Sequence, residues 1–229
     1  MAAAASFAML LGGCDMLNQQ QWEPQEPEAI SISEDGSITE IIQETLDEAY
    51  YNTSELQNMI TSEVTDYNKQ NGENSVTVKN FETEGQNVKL EMVYASAKDY
   101  ASFNHVEFYY GSLINAQLEG YLFDVSYKKV RDGVVSGNAV SGSEVIKAMD
   151  KEVLIVQAPL EVKVPGSILY TSTNAEIISD QVVYAAGAQE NEEEGLLLPS
   201  NTIYKSEEDT SLAQQAAANR VYIIFDIYA

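Results

Sequence analysis

Short segments with apolar residues at every second position constrain the fold of this chain more than any other feature. A period of two is typical of β-strands that bury one face, because successive side chains point to opposite sides of a strand. Beyond Lys151 the segments are KEVLIVQ, LEVKV, SILYTS, EIISDQVVYA and the terminal RVYIIFDIY. The last is apolar on both faces, which predicts a strand inside a sheet rather than at its edge. Pro159 and Pro165 cannot donate hydrogen bonds within a sheet, so we expect them at strand ends or edges.

The first half of the chain combines further strands with helices. A strand is predicted over 29–33, and a hairpin over 74–95 around the turn TEGQ. Apolar residues three and four positions apart then predict a helix that Thr53 or Ser54 caps and Gly72 ends. The apolar stripe of this helix consists of Leu56, Met59, Ile60, Val64 and Tyr67.

Shorter elements are predicted in the remainder of the chain. A short helix begins at Ser96, whose side chain forms a cap pair with Asp99. The other predictions are strands over 106–111 and 121–130, a helical turn over 112–120, a loop over 131–143, and helices over 144–150 and 209–220.

The segment 37–50 fits two structures equally well. Ile38, Ile41 and Ile42 lie on one helical stripe, and Ser37 with Glu40 matches a capping box. The turn signal Asp35-Gly36 precedes the same residues, so they also fit the return strand of a hairpin.

The predicted fold class is α+β, with a mostly antiparallel β-sheet and a few helices packed on one face. The chain has 229 residues, which suits one large domain or two small ones. We expect a single domain over 29–229, with a possible subdivision near 140–150.

The charge of the chain limits its partners. There are 36 acidic and 12 basic residues, which gives a formal net charge of -24. A nucleic acid or an anionic lipid surface would be repelled, so no nucleic acid partner is predicted. The simplest interpretation of this charge, which requires no specific partner, is a solvated acidic surface.

The first residues of the chain contain the sequence LLGGC, and Cys14 is the only cysteine of the chain. An intramolecular disulfide is therefore excluded. The apolar run from Ala2 to Leu11 is too short for a membrane-spanning helix, which needs about 20 residues. Its length and the small residues after it are typical of a signal peptide.

The residues Leu11, Gly12, Gly13 and Cys14 resemble the lipobox of bacterial lipoproteins, although no Lys or Arg precedes the apolar run. The resemblance implies a signal peptide over 1–13, a Cys14 sulfur that carries a diacylglycerol, and cleavage that makes Cys14 the first residue. It also implies a protein held on the membrane through lipidated Cys14 and facing outside the cytoplasm. Residues 14–28 are polar and contain two prolines, which predicts an extended tether. The segment 160–185 loosely resembles a β-rich module of other envelope lipoproteins.

Motifs for catalysis and metal binding are weak. His105 is the only histidine, which excludes a histidine-based metal cluster, and it fits a general base or a structural residue. Ser126 and Lys129 form the pattern S-x-x-K within a predicted strand, where residues three apart face opposite ways. The acidic loop 190–195 offers oxygen ligands for calcium without the spacing of an EF-hand. We therefore predict no catalytic residue, no metal site and no cofactor.

Tyrosines are the remaining signal, with 14 in the chain. They fit a carbohydrate- or peptide-binding surface, because each ring offers an apolar plane and a polar tip. They also fit a half-buried sheet, where tyrosine is common, and this interpretation is preferred. The candidate ligand-binding residues are Tyr100, Tyr109, Tyr110, Tyr121 and Tyr127.

The sequence as a whole favours a non-enzymatic, lipid-anchored module that binds an envelope protein or a glycan. One alternative is an envelope hydrolase that acts on cell-wall glycan through two carboxylates about 5–10 Å apart in a cleft. Another is a purely structural or assembly role.

Overall fold

The computed structural model of the protein describes residues 22–47, 52–148, 150–186 and 219–227. Within them the chain forms fourteen strands and four helices. The helices are α1 (Thr53–Asn71), α2 (Ala97–Asn104), α3 (Leu113–Leu118) and α4 (Gly142–Val145). The strands are β1 (Glu28–Ile32), β2 (Ile38–Thr45), β3 (Val76–Glu84), β4 (Asn87–Tyr94), β5 (Phe108–Ser112), β6 (Ser126–Arg131), β7 (Val134–Val135), β8 (Val140–Ser141), β9 (Glu152–Val156), β10 (Leu160–Lys163), β11 (Ser167–Ser172), β12 (Ala175–Ile177), β13 (Val182–Ala185) and β14 (Val221–Asp226).

The strands form two sheets, and all neighbours are antiparallel except β1 and β10. The first sheet has the order β12-β13-β10-β1-β2-β4-β3. The second has the order β5-β9-β14-β11-β6-β7, and β8 also pairs with β6. The predicted α+β class with mostly antiparallel strands is confirmed. Each sheet contains strands from both sides of residues 140–150, since β1 pairs with β10 and β5 pairs with β9.

The inner faces of the two sheets share one hydrophobic core. Ile30 and Leu160 enter it from the first sheet, and Leu154 and Phe225 enter it from the second. Helix α2 packs against this core through the buried Tyr100, whereas α1 packs against it through half-buried side chains and has no fully buried residue.

A second core lies on the other face of the second sheet. Val153 and Tyr222 belong to it, and Leu113 of α3 and Val145 of α4 cover it. Strand β14 therefore contacts a core on each side: Ile223 faces the first and Ile224 the second. This position explains why the terminal segment is apolar on both faces, and its predicted place inside a sheet is confirmed, between β9 and β11.

The contested segment 37–50 forms a strand over its described part. Ile38–Thr45 returns antiparallel to β1 after a turn in which Gly36 has a φ of 85°. The Asp35 carboxylate accepts hydrogen bonds from the backbone N–H and the hydroxyl of Ser37, which closes the turn. Pairing with β1 and β4 on both sides outweighs the helical stripe. Residues 48–50 lie outside the described residues.

Most other elements agree with the sequence, with five corrections. The helix predicted over 144–150 is instead α4, which begins at Gly142 and ends at Val145. Helix α1 is capped by Asn52, whose side chain accepts from the backbone of Ser54 and Glu55, so the predicted caps Thr53 and Ser54 are wrong. The segment 121–130 becomes a strand only at Ser126. The loop 131–143 contains β7 and β8, and 176–185 forms two strands instead of one.

Several predictions on the ends of elements are confirmed. Ser96 caps α2 by accepting from the backbone N–H of Asp99. Pro159 and Pro165 flank β10 outside its ends. The helix predicted over 209–220 falls, except for its last two residues, outside the described residues.

Among the helices of the described ranges, none is long and apolar enough to cross a membrane.

Candidate functional site

The five tyrosines singled out in the sequence lie in two different cores. Tyr100 is buried between the sheets, whereas Tyr121 and Tyr127 are buried in the second core. The rings of Tyr109 and Tyr121 lie 5.1 Å apart, and Tyr110 stacks on Phe225 of the first core. These side chains therefore pack as core residues and do not form a common surface.

The residues of the weak catalytic motifs lie on two different elements, the end of α2 and β6. His105 is exposed at the end of α2, where it adopts a left-handed φ of 54°. Ser126 and Lys129 lie on β6, and the Lys129 ammonium pairs with Glu144 at 2.6 Å. In the described part of the chain no three His, Cys, Asp or Glu side chains form a group that could hold a metal. Cys14 and the acidic loop 190–195 lie outside the described residues.

Two carboxyl groups with raised pKa values lie on the inner face of the first sheet. Burial raises the pKa of Glu40 to about 7, and burial together with the charge of Glu44 raises the pKa of Glu28. Glu40 pairs with Ile30 across β1 and β2 and is 2 % exposed. A glycan chain cannot reach a carboxyl group in this position, so the pair does not have the geometry of a hydrolase cleft.

The outer face of the first sheet carries a groove of about 850 Å³. On β10, Leu160 and Val162 enter the core, so the alternating Glu161 and Lys163 belong to the outer face. The groove, which we call the Trp22 groove, is lined by Trp22, Thr39, Ile41, Lys79, Glu91 and Lys163, among others. Its size falls within the range of about 300–1,000 Å³ that is common for ligand sites.

Glu161 binds the residues that precede β1 and lie on this face of the sheet. Its carboxylate is 1 % exposed. One oxygen accepts the indole N–H of Trp22 at 3.1 Å. The other accepts the backbone N–H groups of Gln25 at 2.8 Å and Glu26 at 3.2 Å. The last part of the expected tether, residues 22–28, therefore lies against the domain and runs into β1.

The energies of these contacts make Glu161 decisive for the position of residues 22–26, which we call the N-terminal segment. Each hydrogen bond to a charged group contributes about 1.5–3 kcal/mol. Ordering the backbone costs about 1–2 kcal/mol per residue. Three such bonds therefore roughly offset the ordering of the five residues, and without the carboxylate the ordering cost is not balanced.

Charges in the Trp22 groove are largely balanced within the groove. The Lys79 ammonium pairs with Glu91 at 2.6 Å, and Lys79 occupies the position where the register of β3 against β4 shifts. The Lys163 ammonium lies 5.8 Å from the centre of the Trp22 ring, within the range of a cation–π contact. Thr39, Ser31 and Gln181 add uncharged polar groups. The groove thus offers an indole, hydrogen-bond donors and acceptors, and little net charge.

No family model, curated protein or solved structure matches this chain.

The sequence did not identify Trp22 and Glu161 as functional residues. Trp22 carried one signal, because it is the only tryptophan of the chain. Glu161 carried another, because the alternation LEVKV places it on the face opposite to the core. Their side chains are in contact although the residues are 139 positions apart in the sequence, and neither signal predicts this contact.

Proposed function

We propose that the protein is a lipid-anchored, non-enzymatic binding module of the cell envelope that takes a neutral glycan in the Trp22 groove. In this proposal Cys14 carries the acyl chains, and the domain faces outside the cytoplasm. The observation that carries the proposal is the Trp22 groove itself, in which a half-buried indole lies among paired charges and hydroxyl groups.

The chemistry of the groove favours a glycan over other ligands. An indole offers an apolar plane on which the C–H face of a sugar ring can lie. Thr39 and Ser31 both donate and accept hydrogen bonds, as sugar hydroxyls require. Lys79 is already paired with Glu91, and the Lys163 ammonium lies over the Trp22 ring, so both cations of the groove already have a contact. A neutral, hydroxyl-rich ligand fits this combination.

The anchor part of the proposal rests on the lipobox residues Leu11 to Cys14. Two acyl chains are sufficient for stable anchoring, since each buried methylene contributes about 0.8 kcal/mol. An anchor of this kind needs no attraction between the lipid and a protein of charge -24. The test is a full chain with Cys14→Ala, which should move from the membrane fraction to the soluble fraction. Retention of this variant on the membrane would refute the anchor.

The glycan part can be tested by calorimetry on the full chain with a soluble neutral probe such as chitotetraose. Trp22→Ala and Lys79→Met should weaken binding at least several-fold, because they remove the ring and one polar wall of the groove. Lys69→Met is the matched control, since Lys69 also pairs with a carboxylate, that of Asp66, but lies on α1 outside the groove. Equal losses in Lys79→Met and Lys69→Met, or no heat with neutral glycans, would contradict the proposal.

A further inference from the structure

We infer that Glu161 fixes the N-terminal segment on the outer face of the first sheet, and that this contact presents the Trp22 groove to glycans carried on neutral lipids of the same membrane. The inference rests on the proposed function, because it takes Cys14 as the anchor and a glycan as the ligand. It adds the source of the ligand and the residue that sets the orientation.

The contacts of the N-terminal segment converge on one side chain. Trp22, Gln25 and Glu26 all donate to the carboxylate of Glu161, from both ends of the segment. Glu23 adds a looser ion pair with Lys89 of β4, at 3.8 Å. Trp22 is also a wall of the groove, so the residue that receives the tether and the residue that contacts the ligand are the same.

The length of the connection keeps the groove near the membrane. Eight peptide units separate Cys14 from Trp22, and a fully extended chain of that length spans at most about 29 Å. A domain of this size has a radius of gyration of about 16 Å. Trp22 therefore stays within about 29 Å of the bilayer surface.

The negative charge of the protein favours uncharged lipids over anionic lipids as carriers of the glycan. A net charge of -24 opposes close approach to anionic lipids at short range. A glycan on an uncharged lipid avoids this repulsion and matches the balanced charges of the groove. The partner is therefore the head group of a neutral glycolipid rather than an acidic one.

The fixing of the segment can be measured directly, because Trp22 is the only tryptophan. Acrylamide quenching of the full chain should increase several-fold in Glu161→Ala, which removes the acceptor. Gln25→Pro removes one donor and leaves β10 untouched, so it should also increase quenching even if Glu161→Ala folds poorly. Glu176→Ala is the control, because Glu176 alternates with the core residue Ala175 on β12 and so lies on the same outer face, but it does not line the Trp22 groove. Quenching that is unchanged in both test variants would overturn the inference.

The orientation is tested with the lipidated chain in phosphatidylcholine vesicles. An N-acetylglucosaminyl lipid in the same vesicle should change Trp22 emission at vesicle concentrations at which this lipid in separate vesicles gives no change. Equal responses in the two arrangements would overturn the orientation. Soluble chitotetraose provides the third arm: if it does not bind either, the proposed glycan function has failed, whereas binding of the soluble sugar with equal vesicle responses refutes the orientation alone.

Discussion

Between the two sheets, the Tyr94 hydroxyl donates a 2.5 Å hydrogen bond to the Glu40 carboxylate. Glu40 lies on β2 opposite Met92 of β4 and is buried, as is Tyr94. The Asn104 side chain donates to the same tyrosine hydroxyl at 3.2 Å. Burial raises the pKa of Glu40 to about 7, and the hydrogen bond from Tyr94 acts in the opposite direction. Glu40 is thus an acid whose protonated form is favoured by the fold.

This pKa predicts a loss of stability as the pH rises toward neutrality. The folded pKa of Glu40, about 7, lies above the ordinary value of 4.5. Its contribution is therefore fully present below pH 4.5 and lost as the pH rises through about 7. The contribution amounts to about 3 kcal/mol. Urea denaturation at a series of pH values should show this decline.

Glu40→Gln should remove the part of the decline that Glu40 causes, because its amide stays neutral, whereas the part from Glu28, whose pKa is also raised, should remain. The exposed Glu44 lies on the same strand and face as Glu40, so Glu44→Gln is the matched control and should keep the decline. If Glu40→Gln and the unmodified protein lose stability in parallel between pH 4.5 and 7, Glu40 is not the titrating group.

A second prediction concerns the ion pair of Arg220 and Glu107. Arg220 is 3 % exposed, its guanidinium contacts the Glu107 carboxylate at 2.8 Å, and it lies over the Tyr121 ring. Arg220→Met should lower the free energy of unfolding by about 3 kcal/mol, because it leaves a poorly solvated carboxylate without its partner. The double variant Arg220→Met, Glu107→Leu should recover part of this loss in urea denaturation.

The control for this pair is Lys69→Met, which breaks the exposed contact with Asp66. Surface pairs contribute about 0–1 kcal/mol, so this variant should change stability little. Similar losses in Arg220→Met and Lys69→Met would show that burial does not strengthen the Arg220 contact.

Alanine substitutions at two glycines distinguish the cost of a steric clash from the cost of an unfavourable backbone φ. A Cβ on Gly166 would lie 2.2 Å from the carbonyl oxygen of Asp226, whereas a Cβ on Gly85 would have no atom within 4 Å. Gly166→Ala should therefore cost about 3 kcal/mol through the displacement of β14. Gly85 has a φ of +64°, and Gly85→Ala should cost only about 1 kcal/mol through backbone strain. Thermal unfolding of the two variants measures the difference, and the reverse order of stability would contradict this assignment.

The sequence predicted local elements better than it predicted which surfaces meet. Periodicity located α1 and the strands of the C-terminal half, because burial of one face leaves its period in the residues themselves. For the tyrosines the sequence left two interpretations, a ligand-binding surface and the preferred half-buried sheet. Tyr109 and Tyr110 are neighbours on β5 and so point to opposite faces. Tyr109 packs on the second core and Tyr110 on the first, as the half-buried sheet predicts.

The sequence did not predict the candidate site, because the site depends on the pairing of distant strands. Trp22 and Glu161 meet only because β1 pairs in parallel with β10, with Ala29 opposite Glu161. A parallel neighbour of this kind joins distant segments, and neither segment contains a signal for the other. The strand order brings the walls of the groove together, and no local sequence pattern predicts that order.

The last prediction concerns His105, the only histidine. It ends α2 with a φ of 54°, and its side chain is exposed. A left-handed conformation costs a residue with a Cβ about 1–2 kcal/mol, and glycine avoids most of this cost. His105→Gly should therefore raise the free energy of unfolding by about 1 kcal/mol in urea denaturation. His105→Ala is the control, because it removes the imidazole and keeps the Cβ, so it should give no such gain. If both variants destabilise the protein equally, the imidazole has a role in the fold that its exposed position at the end of α2 does not indicate.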